Sequence, residues 1–283
     1  MKKLLTFNAI FLTIASLGQS PKLQFNHAFV VLDSTDYSAL INSQFIKNEF
    51  SGFFTRSTST SSASWTGAYI FGDINYLEIF APSASEHHIG SSAIALGPDN
   101  SGELQKANDI LSKYYKTKVE LKERKVNDNL IPWFQALYII DSSFNSNSDI
   151  NFWIMEYKKE YFQFNHWNIN GDSVTRKAYL AQHEEKRKGK FLKRFTGMTF
   201  YGSKTEIQFY SSLLLHCGFT KSSKNSFISL EGFLISFVRK KPNSLYSVRS
   251  LQFETSKPSF QKISISDHIQ ITFQGQKGQI EFN

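Results

Sequence analysis

Apolar and polar positions alternate in short runs along most of this chain, and the runs fall in a repeated order. Residues 23–32 read as a strand, with Leu23, Phe25, His27, Phe29 and Val31 on one face. Asp33 and Ser34 can cap a following helix over 35–48, where Tyr37, Leu40, Ile41 and Phe45 recur at helical spacing. Strands are then expected at 50–56, 65–71 and 75–80, with the Ser/Thr-rich stretch 57–64 as a loop. The unit is β-α-β-β-β.

The same order recurs. Residues 91–97 form a strand, and 102–116 an amphipathic helix with Leu104, Ala107, Leu111 and Tyr114 on its apolar face. Strands follow at 118–125, 133–140 and 151–157. A repeat of this kind implies that neither unit buries its sheet face alone, so two half-cups pair into one domain. Residues 161–194 read as a polar, basic connection with a helix over 173–188, in which His166 and His183 are surface residues. From 195 a third, divergent module is expected: a strand at 195–201, a helix at 204–216 closed by Gly218, and strands at 226–230, 233–239, 245–254, 268–273 and 279–282. The fold class is therefore α+β, with residues 21–160 as the paired domain and 195–283 as an appended, structural module.

The N-terminus changes this picture only at its edge. Lys2 and Lys3 precede an apolar run over 4–17 that ends in small residues, the pattern of a signal peptide occupying residues 1–20. The run is shorter than the ~20 residues of a spanning helix and is interrupted by Asn8. The expected location is secreted or periplasmic, with no membrane span. The alternative is a buried first element.

Of the 283 residues, 41% are hydrophobic and 15% aromatic, enough for filled sheet faces, so disorder is excluded for most of the chain. A single cysteine, Cys217, excludes an intramolecular disulfide and a thiolate-rich zinc site. It follows an apolar helix and reads as buried and inert. The net charge of +8 is unevenly spread, with six positive and two negative residues in 184–194. No nucleic-acid recognition motif accompanies that patch, so it reads as a solvated segment. The sequence contains no phosphate-cradling Gly loop, CxxC or HExxH pattern.

His27 in Phe25-Asn26-His27-Ala28-Phe29, Glu78 in Tyr76-Leu77-Glu78-Ile79-Phe80 and the duplicated element order together resemble the vicinal oxygen chelate superfamily, which includes glyoxalase-like lyases, extradiol dioxygenases and bleomycin-resistance-type binding proteins. The glyoxalase-like branch is the most similar, and the resemblance covers residues 22–160. It implies a cup whose first and last strands supply ligands to a divalent metal (Zn, Fe, Mn or Ni), which polarises a bound oxygen. Carried over by strand order, the ligands are His27, Glu78 and Glu156, with Glu78 and Glu156 also as catalytic groups. The remaining position falls on Ser92 or Ala93, which cannot serve, and His87-His88 lie just upstream. Trp65, Tyr76, Phe80 and Phe152 are the expected pocket residues, whereas Trp133 and Phe134 read as core.

Three functions are compatible with these residues. The first is a metal-dependent lyase, isomerase or dioxygenase acting on a small oxygenated molecule. The second is a non-catalytic protein that binds or sequesters a small ligand, and the third a module whose cup is filled by its own aromatics. Metal content separates the first from the other two.

Overall fold

The structure, a computed structural model, describes residues 20–84, 87–141, 148–167, 169 and 174–283. The expected signal segment lies outside the described residues. The first half contains β1 (Leu23–Val31), α1 (Ser34–Asn42), a π-helical turn (Ile46–Phe50), β2 (Gly52–Ser59), β3 (Ser64–Phe71) and β4 (Tyr76–Phe80). The second unit contains β5 (Ser92–Pro98), α2 (Glu103–Leu111), β6 (Thr117–Val126), β7 (Asn129–Ile139) and β8 (Ile150–Tyr157). Both units are β-α-β-β-β, and they form one eight-stranded sheet in the order β2-β3-β4-β1-β5-β8-β7-β6. Within each unit the first and last strands pair in parallel, and β1 meets β5 antiparallel at the centre. The sheet curls until its ends meet, where Thr60 bridges Arg124 and the Ser61 amide donates to the Glu123 carbonyl. This is the paired-module cup of the glyoxalase-like fold.

Three short helices, α3 (Lys159–Phe164), α4 (Arg176–Ala181) and α5 (Glu184–Arg187), stand in the connection, where one helix over 173–188 was expected. Two turns of helix cannot bury an independent apolar stripe, and these pack on the cup instead. The C-terminal elements are β9 (Leu192–Gly202), α6 (Lys204–His216), β10 (Thr220–Ser223), β11 (Ser226–Ile228), β12 (Leu234–Arg239), β13 (Val248–Ser259), β14 (Lys262–Ser264) and β15 (Ile269–Phe282). They form a seven-stranded sheet, β10-β11-β12-β9-β13-β15-β14, in which β9 pairs parallel to β12 and antiparallel to β13. That repeats the centre of the first sheet. The third module is complete, and the strands after it make a helix-free partner for it.

The strands expected at 268–273 and 279–282 are one strand. Gly275 (φ 71°) and Gly278, which suggest a turn, bend β15 without ending it; a Cβ on Gly278 would lie 2.4 Å from the Phe253 ring. The helix-facing sides of both sheets share one core, to which Val30, Leu77, Ile94 and Ile154 contribute from the first sheet and Phe200, Ile235, Leu251 and Ile271 from the second. Cys217 is buried in it, and burial raises its thiol pKa, as an inert cysteine requires. The cup of the first sheet opens on the opposite side and has its own clusters.

Candidate functional site

A register shift between Phe25 and His27 fixes the site. The extra residue at Asn26 breaks the alternation of β1, so Leu23 and Phe25 face the shared core with Ala28 and Val30, while His27, Phe29 and Val31 face the cup. The single face expected for Leu23 through Val31 is therefore divided by the bulge. The His27 ring stacks on Tyr76 with centroids 4.4 Å apart and meets Trp153 edge-on at 5.3 Å. Its Nδ1 lies 3.1 Å from Asn26 Oδ1, which also accepts the Tyr157 hydroxyl at 3.4 Å. Burial lowers the His27 pKa to about 3, so the imidazole is neutral at physiological pH.

Glu78 reaches the same face from β4, where it pairs with Phe29 on β1 and Tyr69 on β3. Its carboxylate lies over Gly67, where a Cβ would stand 2.9 Å from Oε1. Trp65 Nε1–H donates to Oε1 at 3.0 Å and the Tyr69 side chain also hydrogen-bonds the carboxylate. Burial nevertheless raises the Glu78 pKa, outweighing the lowering by Tyr69, Trp65 and Arg56. Trp65, Tyr76 and Phe80, expected in the pocket, flank these two residues.

Glu156 does not join them. Alternation along β8 puts Trp153, Met155 and Tyr157 in the cup and Phe152, Ile154 and Glu156 on the helix-bearing side. There the Glu156 carboxylate accepts the Gly102 and Leu104 amides, at 3.2 and 3.1 Å, at the start of α2. It satisfies helix donors and favours the dipole. Phe152 likewise packs against the shared core and not in the pocket.

The cup-facing residues of β5 are Ala93 and Ala95, while Ser92 turns away to hydrogen-bond Ser247. His87 stacks on Phe29 at 4.7 Å, and His88 Nε2 lies 2.9 Å from Asp149 Oδ1. The second unit thus presents Ala93, Ala95, Trp153 and Met155 where the fold family would place its other ligands. The donor set in the cup does not fit the family's metal. Asp33, Asp36 and His268 do lie together elsewhere, with one ligand atom of each within 4.8 Å of the others, where α1 meets the loop before β15. Asp36 accepts from the Tyr246 hydroxyl and pairs with His268 Nδ1 at 3.0 Å, so the cluster holds itself together by hydrogen bonds.

The connection expected to be polar supplies aromatic contents to the cup. Tyr161, Phe162, Tyr179 and Leu180 are buried against Tyr69, Tyr76, Trp133 and Tyr157, and Tyr179 stacks on Tyr157 at 4.4 Å. His183, expected at the surface, is half-buried: its ring lies 4.6 Å from Phe71 and burial, with Arg56 nearby, lowers its pKa to about 4. The signal in the sequence was the aromatic content of 161–179, with Tyr161, Phe162, Phe164, Trp167 and Tyr179 preceding the charge run that begins at Glu184. His166 is exposed, as expected. Among the described residues no helix is long and apolar enough to cross a membrane.

Residues 25–282 match the family described as "Family of unknown function (DUF5829)". No curated protein matches the chain in sequence. Among solved structures, a xylose isomerase-like TIM barrel/4-hydroxyphenylpyruvate dioxygenase fusion protein is similar over 81% of this chain at 9% identity and a TM-score of 0.44; the chain spans 35% of that protein. BphC, a halotolerant catechol dioxygenase, is similar over 80% of this chain and 90% of its own at 9% identity and a TM-score of 0.27. Likeness at this level carries no reaction from one protein to another.

Proposed function

Because the chain belongs to the DUF5829 family, described as one of unknown function, we propose its role from its own residues: a small-molecule binding or sequestering protein that holds its ligand by hydrogen bonds and aromatic contact. Export to the periplasm or cell exterior, expected from residues 1–20, is part of the proposal. The observation that carries it is the donor set of the cup. His27 and Glu78 are the two residues at family ligand positions that face inward, and Glu78 is already engaged by Trp65 and Tyr69. Two donors, one of them so occupied, make a poor first shell for a catalytic divalent ion, which requires at least three protein ligands in fixed geometry. The cup has the apolar walls and few convergent polar groups of a ligand pocket, and a ligand would enter it by displacing the Tyr161, Phe162 and Tyr179 side chains that the connection packs into it.

The second reading, a metal-dependent enzyme of the dioxygenase type, is favoured by the placement of His27 and Glu78 on adjacent strands and one face. Metal analysis decides between them. Protein exposed to Zn²⁺, Fe²⁺, Mn²⁺ or Ni²⁺ and then desalted is expected to retain less than one equivalent, and His27→Ala and Glu78→Ala are expected to leave that content unchanged. A full equivalent lost in both variants would establish the enzyme reading instead.

A further inference from the structure

Resting on the reading of the cup as a ligand site, we propose that its ligand is a small organic anion, a carboxylate with an apolar or aromatic body, whose oxygens are received by Arg56, Thr58 and Trp133. The closure of the sheet creates the site. On β2, Phe54, Arg56 and Thr58 share the face of their partners Tyr69, Gly67 and Trp65 on β3. The Thr60–Arg124 bridge brings that end of β2 against β6, whose neighbour β7 carries Trp133. The Trp133 ring lies 6.4 Å from Trp65, 5.7 Å from Tyr161 and beneath the Arg124 guanidinium at 5.5 Å.

Three polar atoms in this corner are buried without a hydrogen-bond partner among the described residues: Arg56 Nε, Thr58 Oγ1 and Trp133 Nε1. Thr58 is 1% exposed and Trp133 5%. The two nitrogens are donors and the hydroxyl can be one, so the corner lacks acceptors. Buried donors are ordinarily paired, and unpaired ones are costly. The charge is also unbalanced. Arg124 donates to the Tyr161 hydroxyl, and Arg56 stands over the rings of Tyr69 and Phe54 at 5.0 and 5.7 Å. Neither guanidinium has an ion pair within 4.0 Å among the described residues. Glu78, the carboxylate that bears on Arg56, is turned to Trp65 and Tyr69. An oxyanion would satisfy the donors and the charge together, because charge-assisted hydrogen bonds to guanidinium are the strong ones. The rings of Trp65, Trp133 and Tyr161 pack on one another in this corner, so an apolar or planar body would take the place of the Tyr161 ring and stack on Trp133 and Tyr69.

The test uses the purified chain and three carboxylates, benzoate, phenylacetate and hexanoate, each against its uncharged amide, read by tryptophan fluorescence and thermal shift at millimolar concentration. At least one carboxylate is expected to bind about tenfold more tightly than its amide. Arg56→Met should weaken that carboxylate about tenfold and abolish the preference. Trp133→Phe, which keeps the ring and removes the N–H, should weaken it severalfold and serves if the arginine variant does not fold. Equal binding of acid and amide, or carboxylate affinity unchanged in a folded variant, would overturn the anion inference and leave the ligand-binding reading standing. No binding by any of the six probes would overturn both.

Discussion

His27 stands as a neutral ring between Tyr76 and Trp153, and that state links the stability of the fold to pH. The unfolded chain takes up a proton near 6.5, while burial holds the native ring unprotonated down to about 3. The unfolded state therefore binds more protons throughout that window, and stability present above pH 6.5 is lost as pH falls through it. At 1.36 kcal/mol per pH unit, the loss attributable to His27 by pH 4 is about 3 kcal/mol. Glu78, with its pKa raised, acts in the opposite direction in both proteins, so the difference between wild type and His27→Gln isolates the histidine. Urea unfolding at pH 7 and pH 4 should show a steeper loss in the wild type; equal losses would refute the assignment. Glu156 offers a complementary case. Glu156→Ala removes the acceptor of two amides at the start of α2 and should cost about 1 kcal/mol in the same assay without changing any ligand affinity of the cup.

At the scale of elements, the order of strands and helices was legible because periods of two and 3.6 differ over windows as short as these, and because helix starts such as Asp33 and Ser203 carry capping side chains. The face each strand presents was not. Period two sorts residues into two sets but does not say which set lines the cup, so Glu156 and Phe152 were grouped correctly with Ile154 and placed on the wrong side. The bulge at Asn26 has no signature in composition; only pairing with β5 reveals it. The break expected between 273 and 279 does not occur in β15, where Gly278 marks a place for the Phe253 ring and not a turn. Gly278→Ala should force that ring and the Thr272 carbonyl, 2.5 Å from the added Cβ, to move, at a cost of about 1–3 kcal/mol measurable by thermal denaturation. A variant as stable as wild type would show that β15 can bend without it.

Across the whole molecule, the two sheets and the connection are buckled by Arg176. Its guanidinium is buried, 3% exposed, and it reaches Asp99 after β5, Glu231 before β12 and the Phe25 carbonyl on β1. The Asn75 side chain adds a second link, exchanging hydrogen bonds with the Phe195 backbone as a neighbouring strand would. Arg176→Ala leaves two carboxylates facing each other with nothing between them. It should cost about 3 kcal/mol, the lower end of the range for a broken buried pair because both acids are partly exposed. If Arg176 also anchors the aromatic filling of the cup, limited proteolysis of the variant should cut first within the connection that carries α3, α4 and α5; an unchanged cleavage pattern would confine its role to the two sheets.

The meeting of Thr60 with Arg124 also bears on how copies of the chain behave toward one another. One end of β2 is sealed by that bridge and the other by α5, whose Arg187 Cγ lies within 2.8 Å of where a Gly52 Cβ would be. The backbone edges left for another chain to pair with are the first half of β6, β10 and β14. Each carries lysine on that edge: Lys118 and Lys122, Lys221, and Lys262. Charged side chains on edge strands disfavour strand-to-strand pairing by a second copy, and on β6 Glu120 pairs with both lysines, so there the edge carries a charged cluster and not bare positive charge. Lysines that lie outside the basic run at 184–194 thus guard the edges that curling the sheet could not close.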